Sequence, residues 1–259
     1  MMFHPFHLVE KSPWPLTSSI SAFSLTLGFV NYFSYNNMML IYFSMLILFL
    51  SSYQWWRDIS REASFQGFHT FFVLKGLKMG MLLFILSEVF FFISFFWSFF
   101  HSSLSPNIEI GSCWPPKGIT PFNPFEVPLL NSTILISSGI SVTWAHHSIM
   151  NGKFNASLFS LKITIFLGLM FTIFQAFEYY QAQFSVTDGI FGSTFFLTTG
   201  FHGIHVIIGT TFLVVTLLRI NNNFISMNHF FGFEAAAWYW HFVDIVWLFL
   251  FTFMYWWVY

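Results

Sequence analysis

The stretch that most constrains this chain runs from Met79 to Phe100, where nearly all of the twenty-two residues are apolar or aromatic. A helix needs about 20 apolar residues to cross the roughly 30 Å hydrocarbon core of a bilayer, and in that core only a helix satisfies its own backbone hydrogen bonds. The stretch therefore predicts a membrane-spanning helix. The rest of the chain must therefore be interpreted as part of a membrane protein.

One carboxyl group, that of Glu88, lies near the middle of this stretch. Placing Asp or Glu at the centre of a spanning helix costs at least about 2.5 kcal/mol on insertion scales, so such a residue should face protein, lipid head groups or water rather than acyl chains. Glu88 is therefore the first candidate functional residue. The simpler alternative is a protonated carboxyl that bonds a neighbouring helix and has no chemical role.

Composition supports the same environment. Of the 259 residues, 56% are hydrophobic and only 7% are charged, against about 25% charged in an ordinary soluble domain. The net charge of -1 gives no support for nucleic-acid binding. A single cysteine, Cys113, excludes an internal disulfide and any metal cluster that needs two thiolates from this chain. The N-terminal residues match neither a secretory signal nor a transit peptide, so no cleavable targeting segment is expected.

Seven apolar segments can be marked along the chain, and they predict an all-α polytopic membrane protein with seven transmembrane helices. The segments are 16–34, 38–56, 77–100, 127–150, 158–180, 189–218 and 233–255. Because only residues 35–37 join the first two, these two should form an antiparallel hairpin.

A polar connector at 57–70 follows the hairpin. It predicts an N-terminal two-helix membrane unit at 1–56, a connector at 57–70 and a five-helix membrane bundle at 71–259. A second long connector, 102–126, is rich in proline and is expected to be an ordered loop without regular structure.

The basic residues indicate the orientation of these segments. With seven crossings, eight of the nine Lys and Arg residues fall on the side of the N-terminus, and only Lys117 falls on the other. In membrane proteins, the loops on the inner side of the membrane carry an excess of Lys and Arg, which is known as the positive-inside rule. The N-terminus is therefore predicted on the positive side and the C-terminus on the opposite side.

Polar residues in the last two segments could carry chemistry. His202 and His205 are spaced i, i+3, and Glu234, His241 and Asp244 lie along one edge of the seventh segment. Histidines with nearby carboxylates could ligate zinc or iron, which would make the chain a metal oxidoreductase, but no Glu-x-x-His or His-Glu-x-x-His run occurs. We predict an interhelical polar network of these five residues and no metal.

A second polar cluster occupies the connector after the hairpin and contains Arg57, Asp58, Arg61, Glu62 and His69. Guanidinium groups donate paired hydrogen bonds to phosphate, so the cluster is suited to anionic lipid head groups. The alternative is a solvated loop whose charges balance one another. On these residues alone, a seven-helix membrane protein with a proton or ion pathway is the leading interpretation.

Several long strings then point to a known family. They are SEVFFFISFFWSFFHSSLSPNIEIGSCWPPKGITPFNPFEVPLLN, TWAHHS, EYYQAQF, DGIFGSTFFLTTGFHGIHVIIG and GFEAAAWYWHFVDIVWLFLF. With these strings the chain resembles cytochrome c oxidase subunit III in its mitochondrially encoded form, over nearly its whole length.

The resemblance implies a multi-pass subunit of the mitochondrial inner membrane, with its N-terminus in the matrix and its C-terminus in the intermembrane space. It implies a lipid-filled cleft between the two-helix unit and the five-helix bundle. It also implies partners: subunits I and II, nuclear-encoded accessory subunits and bound phospholipids. Haem a and copper belong to the partner subunits, and this chain holds no redox cofactor.

By position, the resemblance makes Glu88 the family's reactive membrane carboxylate. It places phospholipid head groups at Arg61, Glu62, His69 and Arg219. The implied function is that of a non-redox core subunit that stabilises the catalytic subunit, binds structural phospholipids and supports proton uptake. The alternative is a stand-alone proton-coupled transporter built around Glu88.

Overall fold

The computed structural model describes residues 5–259 and is all-helical, with no strand among these residues beyond an isolated bridge between Ser226 and His229. Seven long helices follow one another along the chain: α1 (Trp14–Tyr35), α2 (Met39–Ser64), α3 (Phe71–Ser103), α4 (Val127–Met150), α5 (Phe154–Gln181), α6 (Gly189–Asn221) and α7 (Phe231–Leu250). A π-helix, Phe251–Trp256, extends α7. The predicted all-α class is confirmed.

Six helices in the described part of the chain, α2 to α7, are long and apolar enough to cross a membrane. The first helix does not meet the same criterion, because it is rich in Ser and Thr. Their hydroxyl groups donate within the helix, as Ser18 does to the Trp14 carbonyl at 2.7 Å and Thr26 to the Phe23 carbonyl at 2.7 Å. These internal bonds satisfy hydroxyls that lower the average hydropathy of α1.

The second helix does not end where its apolar segment ends. Residues 57–64, which the sequence assigned to the connector, continue α2 as far as Ser64. Asp58 explains the extension: it accepts hydrogen bonds from the Trp14 indole at 2.7 Å and from Arg57 at 2.9 Å. Arg61, one turn later, also pairs with Asp58 at 4.0 Å. Opposite charges spaced i, i+3 stabilise exposed helical turns, so the apolar pattern underestimates the helix.

The loop between α3 and α4 also differs from its prediction. A short 3₁₀ helix, Ile108–Ile110, lies within the connector that was expected to lack regular structure. Gly111 ends it at a φ of 88°, and its backbone N–H donates to the Ile108 carbonyl. Glycine adopts such left-handed backbone angles without steric cost.

The chain divides into two compact units, the first ending at Leu77 and the second covering Lys78–Tyr259, so the division falls inside α3. In the first unit α1 and α2 pack as the predicted hairpin, and Asn36 ends α1 with a left-handed φ of 55°. Gly28 allows the close approach, because a Cβ there would lie 2.9 Å from Ile41 Cγ1.

The core of the second unit contains two fully buried tryptophans of α7 that reach α4. The Trp240 indole donates to Ser138 Oγ at 2.9 Å, and the Trp247 indole donates to Ser132 Oγ at 3.0 Å. Ser141 also shares a hydrogen bond of 2.7 Å with Thr164 of α5. Small polar residues on α4 therefore let two neighbouring helices pack closely and give their polar groups partners.

Candidate functional site

The carboxyl of Glu88 on α3 contacts the imidazole of His205 on α6. Glu88 Oε2 lies 3.0 Å from His205 Nε2, and His205 Nδ1 lies 2.6 Å from the Phe201 carbonyl oxygen one turn earlier. Both imidazole nitrogens of His205 are therefore engaged. The candidate site is built on residues of two helices that are far apart in the chain.

These two contacts determine how many hydrogens the pair holds. A carbonyl oxygen only accepts hydrogen bonds, so His205 Nδ1 carries a hydrogen, which it donates to Phe201. The contact between His205 Nε2 and Glu88 then needs one more hydrogen, on either the carboxyl or the imidazole. The pair is consequently neutral overall in both forms: a carboxylic acid with neutral imidazole, or a carboxylate with imidazolium.

Aromatic rings surround the pair. The His205 ring contacts Phe92 edge-on at a centroid distance of 5.1 Å and stacks on Tyr239 at 6.2 Å, with Phe91 and Phe242 each at 6.3 Å. The side chains of His205 and Glu88 are only 10% and 22% exposed. An apolar shell of this kind strengthens the hydrogen bond between the two groups and disfavours separating them.

His202 lies one turn before His205 but contacts different helices. Its Nε2 donates to the Val243 carbonyl of α7 at 3.2 Å, and its fully buried ring packs against Phe171 of α5 and Trp247 of α7. The two histidines are therefore one turn apart on α6, but their side chains contact different groups.

The other predicted members of the polar network make separate contacts. Glu234 forms an ion pair of 2.7 Å with Lys78 of α3. His241 Nδ1 lies 3.9 Å from Asp244 Oδ2, which is too long for a hydrogen bond. The five residues are thus distributed over four contacts: Glu88 with His205, Lys78 with Glu234, His202 with Val243, and His241 with Asp244.

The donor set does not fit a metal centre. No group of three or more His, Cys, Asp or Glu side chains in residues 5–259 is arranged to hold a metal ion. His205 has both ring nitrogens in hydrogen bonds, and His202 uses Nε2 for the Val243 carbonyl. Protein zinc and iron sites need three or four converging ligands, which these histidines do not supply.

A polar pocket of about 500 Å³ lies in the first unit, and three of the predicted head-group residues, Arg61, Glu62 and His69, line it. Glu62 pairs with His7 at 3.0 Å, and the His7 ring contacts the His69 ring at 5.6 Å. Most of the Arg61 side chain, 59%, is exposed. The pocket therefore offers an accessible guanidinium beside two imidazoles.

The fourth predicted head-group residue, Arg219, belongs to the second unit. It lies in the last turn of α6, and its Nη1 would be 3.4 Å from a Cβ on Gly232 at the start of α7. The guanidinium thus lies beside the first turn of α7, and Arg219 is partly buried.

Sequence reasoning missed two polar residues of the second unit. Glu178 on α5 is 2% exposed and faces the hydroxyl of Tyr255, which is 1% exposed. Lys78, counted only as part of the basic side, is the ion-pair partner of Glu234. Glu178 lies at the end of an apolar segment, where a carboxylate is expected at the membrane interface. The two tyrosines that follow it in an otherwise apolar segment were the only sequence feature that could have indicated a buried polar contact.

Comparison with known proteins gives a consistent result. The family model described as cytochrome c oxidase subunit III matches residues 4–259. Cytochrome c oxidase subunit 3 of Rhipicephalus sanguineus is 76% identical over 257 residues, covering 99% of this chain and all of the relative. The subunits of the same name from Drosophila melanogaster and Rattus norvegicus are each 60% identical over 254 residues, covering 98% of this chain and 97% of the relative.

Proposed function

The chain belongs to the cytochrome c oxidase subunit III family, and on that basis we propose how it serves the complex. It is a subunit of an oxidoreductase complex of the respiratory chain and is not the catalytic redox subunit. Electrons pass from cytochrome c to oxygen at haem a and copper in subunits I and II. This chain stabilises the catalytic subunit, binds phospholipids and supports proton uptake. Family membership decides against the stand-alone transporter.

The proposed topology has seven crossings in the mitochondrial inner membrane, with the N-terminus in the matrix and the C-terminus in the intermembrane space. The six long apolar helices and the distribution of Lys and Arg support it. In this proposal α1 is the seventh crossing. Its hydroxyl groups donate hydrogen bonds within the helix, so a Ser-rich helix can lie in lipid. The family implies a two-helix unit and a five-helix bundle with a lipid-filled cleft between them.

The observation that carries the role of the second unit is the neutral pair of Glu88 and His205. A carboxyl that shares one hydrogen with an imidazole can lie at membrane depth without an uncompensated charge. The pair links α3 to α6, and it holds a proton inside the second unit. We assign it a positioning role for the bundle that supports proton uptake in the neighbouring subunit.

Phospholipid head groups are proposed at both units. Arg61 and His69 in the pocket of the first unit supply donors for phosphate, and Glu62 holds His7 in place at 3.0 Å. Arg219 at the end of α6 supplies a second guanidinium. Accessory subunits of the oxidase remain further proposed partners.

The experiment that tests this function removes the chain from purified oxidase with detergent and analyses both fractions. The remaining complex should keep its haem and copper, while its proton uptake slows and its activity decays faster during turnover. The released chain should contain neither iron nor copper. Iron or copper that travels with the released chain in stoichiometric amount would contradict the assignment.

A further inference from the structure

Glu178 is a second carboxyl group in the second unit, and the pair of Glu88 and His205 does not involve it. It lies in the last turn of α5, and only 2% of the residue is exposed. Among the described residues, neither of its carboxyl oxygens has a hydrogen-bond partner, and no Lys, Arg or His side chain forms an ion pair with it. The Glu178 carboxyl therefore has neither a donor nor a cation to stabilise a negative charge.

The packing of α5 against α7 places Tyr255 at the level of this carboxyl. Phe171 of α5 and Trp247 of α7 contact each other edge-on, with ring centroids 4.8 Å apart. Glu178 follows Phe171 by seven residues, which on an ideal helix is about two turns further along the same face. Tyr255 follows Trp247 by eight residues, so it lies about two turns beyond the same contact on the other helix.

A π-helix determines the direction of the Tyr255 side chain. In a continuous α-helix, eight residues would rotate it by about 80° away from Trp247. Residues Phe251–Trp256 instead form a π-helix, in which the Trp257 N–H donates to the Thr252 carbonyl at 3.0 Å. A π-helix rotates less per residue, since its hydrogen bonds span five residues. Tyr255 consequently stays on the buried face of Trp247, and the two rings lie 5.8 Å apart.

The Tyr255 hydroxyl faces the Glu178 carboxyl and is itself buried, with 1% of the residue exposed. It has no other hydrogen-bond partner in residues 5–259. The neighbouring Tyr179 is directed elsewhere, because its hydroxyl donates to Thr199 Oγ1 at 2.6 Å. Tyrosine hydroxyls are neutral at pH 7, and a buried carboxyl without a paired charge takes up a proton rather than remaining ionised.

We propose that Glu178 and Tyr255 form a second proton-holding site of this chain, in which Glu178 is a neutral carboxylic acid hydrogen-bonded to the Tyr255 hydroxyl. The two groups are suited to each other, because a carboxylic acid and a hydroxyl can each donate and accept a hydrogen bond. The site fastens the C-terminal π-helix to the end of α5. It uses other helices than the pair of Glu88 and His205, and it does not depend on the function proposed for that pair.

Infrared spectra of the intact oxidase at pH 7 test the protonation state. The parent spectrum minus that of Glu178→Gln oxidase should contain a carboxylic acid C=O band. In Tyr255→Phe oxidase this band should move to higher frequency, because the acid loses its hydrogen bond. A difference spectrum with carboxylate bands alone would overturn the proposal, and so would an acid band that Tyr255→Phe leaves unshifted.

The control for the tyrosine variant is Tyr180→Phe. Tyr180 is two residues after Glu178 on α5, but it is 89% exposed. Its substitution should leave the acid band at the parent frequency. An equal shift in Tyr180→Phe and Tyr255→Phe would show that Tyr255 is not the specific partner.

The stability of the chain in the oxidase gives a second measurement. Gln has the shape of the neutral acid and can also donate and accept, so Glu178→Gln should change the unfolding equilibrium constant less than twofold. Glu178→Leu leaves the Tyr255 hydroxyl buried without a partner, which should raise that constant roughly 5- to 150-fold. If Glu178→Gln were as destabilising as Glu178→Leu, Glu178 would act as a charged group and the proposal would fail.

A density map of the unaltered oxidase keeps the test independent of how well the variants fold. We expect the Tyr255 hydroxyl within hydrogen-bond distance of the Glu178 carboxyl. A metal ion or a basic side chain of another subunit beside Glu178 would overturn the proposal. None of these results bears on whether the Glu88 pair supports proton uptake, so the two proposals fail separately.

Discussion

Glu88 Oε2 and His205 Nε2 lie 3.0 Å apart with one hydrogen between them, because His205 Nδ1 already donates to the Phe201 carbonyl. Two residues separated by 117 positions in the chain thereby form one neutral unit. The carboxyl that stands alone in the apolar sequence of α3 has a partner on α6. This relationship determines which substitutions of Glu88 the second unit should tolerate.

Replacing Glu88 by Gln should preserve the contact, whereas replacing it by Ala should not. The Gln amide can donate to neutral His205 Nε2, so stability should change little. Glu88→Ala leaves that nitrogen buried without a partner, which costs about 1 to 3 kcal/mol. Thermal unfolding of the purified oxidase, followed through this chain, measures the difference.

The control for both variants is Ser87→Ala. Ser87 is the exposed neighbour of Glu88, and its hydroxyl donates to the Phe84 carbonyl of its own helix. Electron transfer and haem content should be unchanged in Glu88→Gln, since no redox ligand is touched. Haem loss in that variant would show that the pair has a role in the metal sites that we do not assign to it.

Gly168 of α5 should not tolerate a methyl group. A Cβ there would lie 2.5 Å from Thr210 Cγ2 and 2.7 Å from Trp240 Cη2. Overpacking of this kind costs about 1 to 3 kcal/mol. Gly168→Ala should therefore lower the unfolding temperature of the chain in the complex.

The matched comparison is Gly80→Ala in α3, where a Cβ would meet nothing within 4 Å of the chain. Alanine is favoured over glycine in a helix by about 0.5 to 1 kcal/mol, so this variant should be neutral or slightly more stable. Equal destabilisation of the two variants would mean that the contact between α5, α6 and α7 is not as close as described.

The hydrogen bond from the Trp240 indole to Ser138 Oγ, at 2.9 Å, should contribute measurable coupling between α7 and α4. In a double-mutant cycle of Trp240→Phe and Ser138→Ala, we expect a coupling energy of about 0.6 kcal/mol and at most about 1.7 kcal/mol. Unfolding free energies of the four proteins give the value. Strict additivity of the two single effects would argue that the bond is absent in the membrane.

Arg61 should contribute to phospholipid retention. Each basic residue near an anionic membrane surface contributes about 1 kcal/mol, so Arg61→Ala should weaken binding of anionic phospholipid about fivefold. Mass spectrometry of lipids bound to the purified oxidase measures the effect. Lys153→Ala, outside the pocket, is the control; a loss of the same size in both variants would point to general surface charge rather than to this pocket.

Much of the architecture follows from the apolar pattern alone. Each of the seven apolar segments corresponds to a helix, and the hairpin of α1 and α2 follows from its three-residue connector. The pattern failed at helix ends such as 57–64, because polar turns outside an apolar segment can be helical when their side chains pair, as Asp58 does with Trp14. Hydropathy reports the solvent around a residue, and it does not report side-chain partners.

The sequence by itself determined that this chain folds as apolar helices, that Glu88 needs a partner, and which family it belongs to. Only the tertiary structure decided that His205 is that partner, that His202 faces other helices, and that Lys78 pairs with Glu234. The physical reason is that burial of apolar surface specifies which residues form helices, whereas the choice between neighbouring polar groups depends on how those helices are rotated and packed. That rotation is set by small residues such as Gly168 and Ser138, whose contacts lie on other helices.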